Sequence, residues 1–268
     1  MLYVLEVLHN RTCAESTACQ SLKAQTDGDF CVMIYDNSDS DLGIKAECAA
    51  SGWTYLGGKG NLGLPAAYNC ALDRLTKEKA EGHVCLLDDD TRLSPGFISE
   101  VKASIKNNSA DILLPVLSQN GKIISPWRKK GRRYFTSYEE CFAEPPKNIL
   151  AFNSGMIIPL DVFRDYRYDE RLFLDCVDIS FLTEMKKRRR SAAVIQVFGE
   201  QSFSGAGKPP RSEAMNRFTI YTKDMYTYYG RRNAQGKLKL FKRALHLALI
   251  YRTLKPFITV QREMEKRT

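Results

Sequence analysis

Four short apolar runs, Leu2 to Leu8, Phe30 to Tyr35, Trp53 to Leu56 and Val84 to Leu87, alternate with helical patterns over Ala14 to Ala24, Ile44 to Ser51 and Leu64 to Leu75. This rhythm constrains the chain more than any other feature. It predicts an α/β fold with a mostly parallel sheet and helices on both faces. The runs are apolar throughout, as strands covered on both sides must be. Open sheets of this kind bind ligands at the carboxyl ends of their strands. There the sequence places His9-Asn10-Arg11, Asp36-Asn37-Ser38-Asp39-Ser40-Asp41, Gly57-Gly58-Lys59-Gly60-Asn61 and Asp88-Asp89-Asp90-Thr91.

The triple aspartate is the sharpest of these signals. Adjacent carboxylates repel, so holding them at one strand end calls for a cation or several donors. Oxygen ligands of this type suit Mg2+ or Mn2+, which take one or two carboxylates and complete their shell with water and substrate phosphates. A helix cap is the alternative, but a cap needs only one of the three acids. Gly58-x-Gly60-x-x-Gly63 matches the dinucleotide fingerprint, yet it sits on the third strand rather than the first. It reads better as a tight turn that lets backbone approach a phosphate or sugar. Asp36-Asn37-Ser38 fits equally a turn held by side chain to backbone bonds and a carboxylate placed to accept the imide N–H of a uracil or thymine.

Past residue 100 the pattern is less regular. Phe97 to Lys106 reads as a helix, Ile112 to Pro115 as a strand, Trp127 to Arg133 as a basic loop, and Phe152-Asn153-Ser154-Gly155-Met156-Ile157-Ile158-Pro159 as a strand entered through small residues. Asp175 and Asp178 then stand three apart among Leu172, Phe173, Leu174 and Val177. Helical spacing puts both on one side, and apolar surroundings raise a carboxylate towards general-base use. The competing reading is a helix N-terminus carrying acids in its first turn.

Composition removes several classes. Lys+Arg 40 against Asp+Glu 31 leaves a net charge of +9. All of that excess falls after residue 228, where eleven cations from Arg231 to Arg267 meet only Glu263 and Glu265. A neutral, aromatic-rich body is not a disordered chain. No apolar run reaches membrane-spanning length, and Met1 to Leu8 lacks a basic leader. The eight cysteines form no CxxC pair and the histidines no ligand spacing, so we expect reduced thiols, a cytoplasmic location and no zinc site.

Together these segments resemble a family 2 glycosyltransferase of the GT-A (Rossmann-like) fold, and within it the bacterial rhamnosyltransferase-like branch, over roughly residues 1 to 235. The carriers are Asp36-Asn37-Ser38, Asn61-Leu62-Gly63 through Asn69, Leu87-Asp88-Asp89-Asp90-Thr91, Asn153-Ser154-Gly155-Met156, Phe173-Leu174-Asp175-Cys176-Val177-Asp178 and Tyr228-Tyr229-Gly230-Arg231-Arg232-Asn233. The resemblance implies inverting transfer of a sugar from a UDP- or dTDP-sugar to a hydroxyl of a glycan or lipid-linked acceptor in bacterial surface polysaccharide synthesis. It implies donor contacts from His9, Asn10, Arg11, Asp36, Asn37, Asn61, Gly63, Asn69, Asp88 and Asp89, with Arg231 and Arg232 gripping the diphosphate. Asp88 and Asp90 would hold Mg2+ or Mn2+, with Glu200 or water completing the site. Asn153, Ser154 and Gly155 would face the acceptor. Asp175 would be the base and Asp178 would orient acceptor or helix, although the choice between the two stays open.

The implied organisation is a GT-A domain over 1–210, with a donor half to about 115 and an acceptor half from 116, followed by a helical basic segment over 211–268. Cations leading into the apolar stretch 244–251 suit a helix lying on an anionic membrane, or equally one packed on its own domain. Two rivals remain: a nucleotidyltransferase-like or NAD-binding enzyme on a similar sheet, and a single-strand nucleic-acid binder using the basic C-terminus. The neutral body argues against nucleic acid, and none is expected as a partner.

Overall fold

The computed structural model describes residues 1–129, 133–202 and 208–265. The first half runs β1 (Leu2–Leu8), α1 (Thr17–Lys23), β2 (Cys31–Asp36), α2 (Ile44–Ala50), β3 (Thr54–Gly57), α3 (Leu64–Lys77), β4 (His83–Asp88), β5 (Thr91–Leu93) and α4 (Phe97–Asn107). Next come β6 (Ile112–Gln119), β7 (Lys122–Ser125), β8 (Trp127–Arg128), β9 (Arg133–Tyr134), α5 (Tyr138–Ala143), β10 (Ile149–Leu150) and β11 (Ile157–Pro159). The chain ends with α6 (Val177–Lys187), β12 (Ala192–Gln201), α7 (Arg211–Tyr229), α8 (Ala234–Tyr251) and α9 (Lys255–Glu265).

The main sheet has the order β3-β2-β1-β4-β11-β6-β12-β5, with β7 on β6. Strands β1 to β4 are parallel, as is β6 with β12, while β11 runs antiparallel to β4 and β6, and β5 antiparallel to β12. Period-two alternation sorts the apolar side chains onto the two faces. Leu5, Val84 and Leu86 join Tyr68, Leu72, Phe163 and Phe181 in one core. Leu2, Val4, Leu8, Cys85 and Leu87 join Cys19, Ile44, Phe97 and Val101 in the other. The expected α/β sheet with helices on both faces is therefore present.

Some boundaries differ from expectation. The first helix starts at Thr17 rather than near Ala14, because the Ser16 side chain caps it by accepting from Cys19 N. Asn153 to Met156 form a turn, and the strand begins only at Ile157, since Gly155 takes a φ of 77°. The basic loop is in part a small sheet of β10, β8 and β9; Lys130, Gly131 and Arg132 lie outside the described residues, as do 205–207 of the expected boundary near 205–210. The segment after 210 is helical, as expected, and it packs against the cleft. Helix α7 sends Asp224 back to the backbone of 173–175, and α8 lines the same cleft as the strand ends.

Candidate active site

Three strand ends are tied together by short polar side chains. Asn37 Oδ1 accepts from Leu62 N at 2.8 Å, and Asn37 Nδ2 donates to Asn61 Oδ1 at 2.9 Å. Asn61 Oδ1 also accepts from Gly63 N at 3.1 Å, while Asn61 Nδ2 lies 3.0 Å from His9 Nε2. Asn10 exchanges two hydrogen bonds with Asp39, 2.9 and 3.0 Å long. Gly63 has a φ of 87°, and a Cβ there would stand 2.9 Å from the carbonyl oxygen of Phe173. The glycine in this turn thus serves the approach of the 173 loop, not only that of a ligand.

His9, Arg11, Asn37, Asn61, Gly63, Asp88, Asp89, Asp90, Asn153, Asp175 and Asp178 line one cleft of about 2170 Å³. The edge formed by the strand ends is acidic. Burial, then the charges of Asp90 and Asp89, push the Asp88 carboxyl up to about 7, and Asp178 adds to the repulsion. Asp89 is also raised by burial, although Arg11 stands 3.4 Å from it. Gln201 touches two of the acids: its Nε2 lies 3.1 Å from Asp88 Oδ2 and 3.0 Å from Asp90 Oδ1.

That crowding fits a divalent cation. Gln201 reaches both Asp88 and Asp90, and its buried Oε1 has no partner among the described residues, so exchanging the ends of that amide would add a third oxygen. No group of three acidic, histidine or cysteine ligands converges among the described residues. Carboxylate oxygens of this kind suit Mg2+ or Mn2+, which draw further ligands from phosphate and water.

The structure corrects several sequence expectations. Glu200 does not join the acids: it is exposed on β12, and alternation turns Gln201 inward instead. Asp36 lies beneath the edge, 3% exposed, with its oxygens taken by Tyr55 OH and Ser38 N at 3.0 Å. Asn69 clamps α3 to a later loop through Tyr168 N, Tyr168 O and Glu170 and does not line the cleft. Arg231 points to the carbonyl of Glu263 at 3.2 Å, and neither it nor Arg232 lines the cleft. Ser154 braces the acidic turn, accepting from Asp88 N at 3.0 Å and sharing a 2.7 Å bond with Thr91. Gly155 is held against Pro115, outside the lining.

The two candidate bases separate cleanly. Asp175 is gripped at both oxygens by the guanidinium of Arg217. Asp178 sits in the first turn of α6 and reaches by charge to Asp88, Tyr68 and Tyr168. The loop before them is shaped by Asp224, a residue the sequence reading missed. Its carboxylate accepts from Phe173 N, Leu174 N and Asp175 N at 2.9, 2.8 and 2.7 Å. An acid in the middle of a tyrosine-rich helix is its only trace in the sequence.

With this geometry in place, the profile described as Glycosyl transferase family 2 matches residues 11–167, more than half of the chain. The chain belongs to glycosyl transferase family 2. Among solved structures, family 2 architecture recurs in S. aureus TarS 1-349, 16% identical over 84% of this chain with a TM-score of 0.53. The chain spans 66% of that protein, just under two thirds. It also recurs in the mannosyltransferase PcManGT from Pyrobaculum calidifontis, solved with GDP-Man and Mn2+, at 12% identity, 98% of this chain, 72% of that one and a TM-score of 0.59. At these identities the likeness is one of GT-A fold. No curated protein sequence matches the chain.

Proposed function

We propose that the protein is an inverting glycosyltransferase that moves a hexose or deoxyhexose from a UDP- or dTDP-sugar to a hydroxyl of a glycan or lipid-linked acceptor, in surface polysaccharide synthesis. The observation that carries this reading is the acidic edge: Asp88, Asp89, Asp90 and Asp178 crowd one end of a cleft whose floor is a family 2 sheet. UDP-GlcNAc and GDP-Man complexes of similarly folded proteins support the donor class.

In the proposed step Asp178, rather than Asp175, is the base. Both oxygens of Asp175 are engaged by the Arg217 guanidinium, so taking the acceptor's proton there would break that bidentate clasp. The acceptor oxygen attacks the anomeric carbon from the face opposite the nucleotide, its proton passes to Asp178, and the bond to the diphosphate breaks with its electron pair on the departing oxygen. One displacement inverts the anomeric centre. Asp88 and Asp90 would hold Mg2+ or Mn2+, which when bound neutralises charge on the diphosphate. Arg11, Asn37 and Asn61 position the nucleotide, and Asn153, whose buried Oδ1 has no partner among the described residues, faces the reacting sugar or acceptor.

Peripheral contact with the cytoplasmic face of an anionic membrane belongs to the same proposal. No helix among the described residues is long and apolar enough to cross a membrane, but α8 exposes Leu238, Phe241, Leu245 and Leu249. Sedimentation with anionic against neutral vesicles tests it. The test of the donor class is a melting panel of UDP, dTDP, GDP and CMP with and without Mn2+. A ligand at a hundred times its Kd stabilises by about 2.7 kcal/mol. UDP or dTDP with Mn2+ should raise Tm; if none of the four does, the transferase reading fails.

A further inference from the structure

Helix α8 has three distinct faces. Gly236, Leu240, Ala244 and Leu247 are buried against the protein. Gln235, Lys239, Lys242 and His246, spaced by four, three and four residues, share a second face that lines the cleft, with Arg243 beside it. Leu238, Phe241, Leu245 and Leu249 form an exposed apolar stripe next to that face.

The cations of the second face are held ready. Lys239 Nζ donates to Tyr229 OH at 2.7 Å, and the Arg243 guanidinium lies 5.8 Å from the centre of the Tyr221 ring. Among the described residues none of Lys239, Lys242 and Arg243 pairs with a carboxylate, whereas Arg217, on the same cleft, is saturated by Asp175. Three uncompensated cations in one wall imply an anionic ligand. Lys239 acts by charge on Cys176, which lies between the two loop aspartates, and all three cations line the same cleft as Asp175 and Asp178. The donor diphosphate would be compensated by the divalent ion that Asp88 and Asp90 would hold.

We propose that the acceptor is a phosphate-bearing molecule, a phosphodiester or a diphosphate, whose phosphate is bound by Lys239, Lys242 and Arg243 while its hydroxyl lies at Asp178. This rests on the transferase reading. The phosphate is a handle and is unchanged by the transfer. The apolar stripe gives a prenyl chain a place to lie if the phosphate is lipid-borne.

The test uses the full chain with its donor site saturated by the stabilising nucleoside diphosphate and Mn2+. Two probes, a water-soluble glycerol phosphate oligomer and a short-chain prenyl diphosphate, are titrated calorimetrically. At least one should bind as a second event that weakens with salt. Lys239→Gln/Lys242→Gln/Arg243→Gln should weaken it by about tenfold or more, since charge-assisted bonds to phosphate are lost. The nucleotide melting shift of that variant, unchanged, reports intact folding, and Lys242→Gln alone should give a loss of a few fold. Binding of the oligomer alone assigns a polymer phosphate, and of the prenyl diphosphate alone a lipid one. No second event, or wild-type affinity in the triple variant, overturns the proposal. Absence of any nucleotide shift in the unmodified protein would instead sink the transferase reading, and that outcome is read before either probe is added.

Discussion

The donor edge of the cleft is built from the ends of neighbouring strands, each ending in a polar cluster within a few residues of the last buried side chain. The wall across from it is built from α6, α7 and α8, whose key side chains act on backbone and acids 42 to 51 residues earlier in the chain. The first wall is acidic and needs a cation to be occupied by a diphosphate; the second is cationic and needs none. On the proposed reading the first wall holds the donor and the second the acceptor, with Asp178 of α6 close enough to act by charge on Asp88, and the two walls would fail in different ways.

The largest break in that division is Asp178→Asn. Removing a positioned base costs about 10²- to 10⁴-fold in turnover, so we expect a drop of that size with the nucleotide-induced rise in Tm intact. Asp175→Asn should cost less, because its main loss is the clasp with Arg217. A larger loss from Asp175→Asn than from Asp178→Asn, measured side by side with the same donor, would move the base to Asp175 and remove the contrast between the two acids.

A second break acts through the backbone. Asp224 accepts three N–H groups from the loop that carries both aspartates, and a hydrogen bond to a charged group contributes about 1.5 to 3 kcal/mol. Asp224→Ala strands three donors at once. We expect a loss of about 2 to 4 kcal/mol in urea unfolding, with kcat falling more than nucleotide affinity, because Asn37, Asn61 and Asp88 do not touch this loop through it. Asp224→Asn keeps one acceptor oxygen and should recover part of both. Equal damage to nucleotide affinity and to kcat would show that the two walls are one cooperative unit.

The same contrast explains what could be read from the sequence. His9, Asn37, Asn61 and Asp88 to Asp90 were legible because an apolar run of fixed period fixes where its strand ends, and the next residues must emerge at that edge. Gln201 could have been found by the same rule: it shares parity with the buried Ile195 and Val197, whereas Glu200 shares parity with the exposed Gln196 and Phe198. Asn69 was misread because its partners, Tyr168 and Glu170, lie 99 and 101 residues on. Arg231 and Arg232 were placed at the donor because their charge is visible in sequence while their direction is not. Lys239, Lys242 and Arg243, which do line the cleft, lie further on in α8 among cations that do not. No local pattern distinguishes these sets, since α8 is apolar and basic on two faces at once.

The smallest effect probes how rigid the donor side must be. Beneath the acidic edge, Glu6 of β1 is fully buried, accepting from Ser16 Oγ and from Cys19 Sγ, and burial raises its carboxyl from 4.5 to about 8. The folded protein thus holds a proton that the unfolded chain releases. The stability from that proton is complete below about pH 4.5, declines as pH rises through 8, and is lost above it. Glu6→Gln removes the titration. The full shift would set a ceiling of roughly 5 kcal/mol, but the buried amide still needs partners, so we expect the variant to gain about 1 kcal/mol at pH 8.5 and nothing at pH 5. Chemical unfolding of both proteins across that range measures it. A gain that is the same at every pH would mean that Glu6 does not carry the proton, and that the donor edge tolerates a buried charge directly beneath the aspartates.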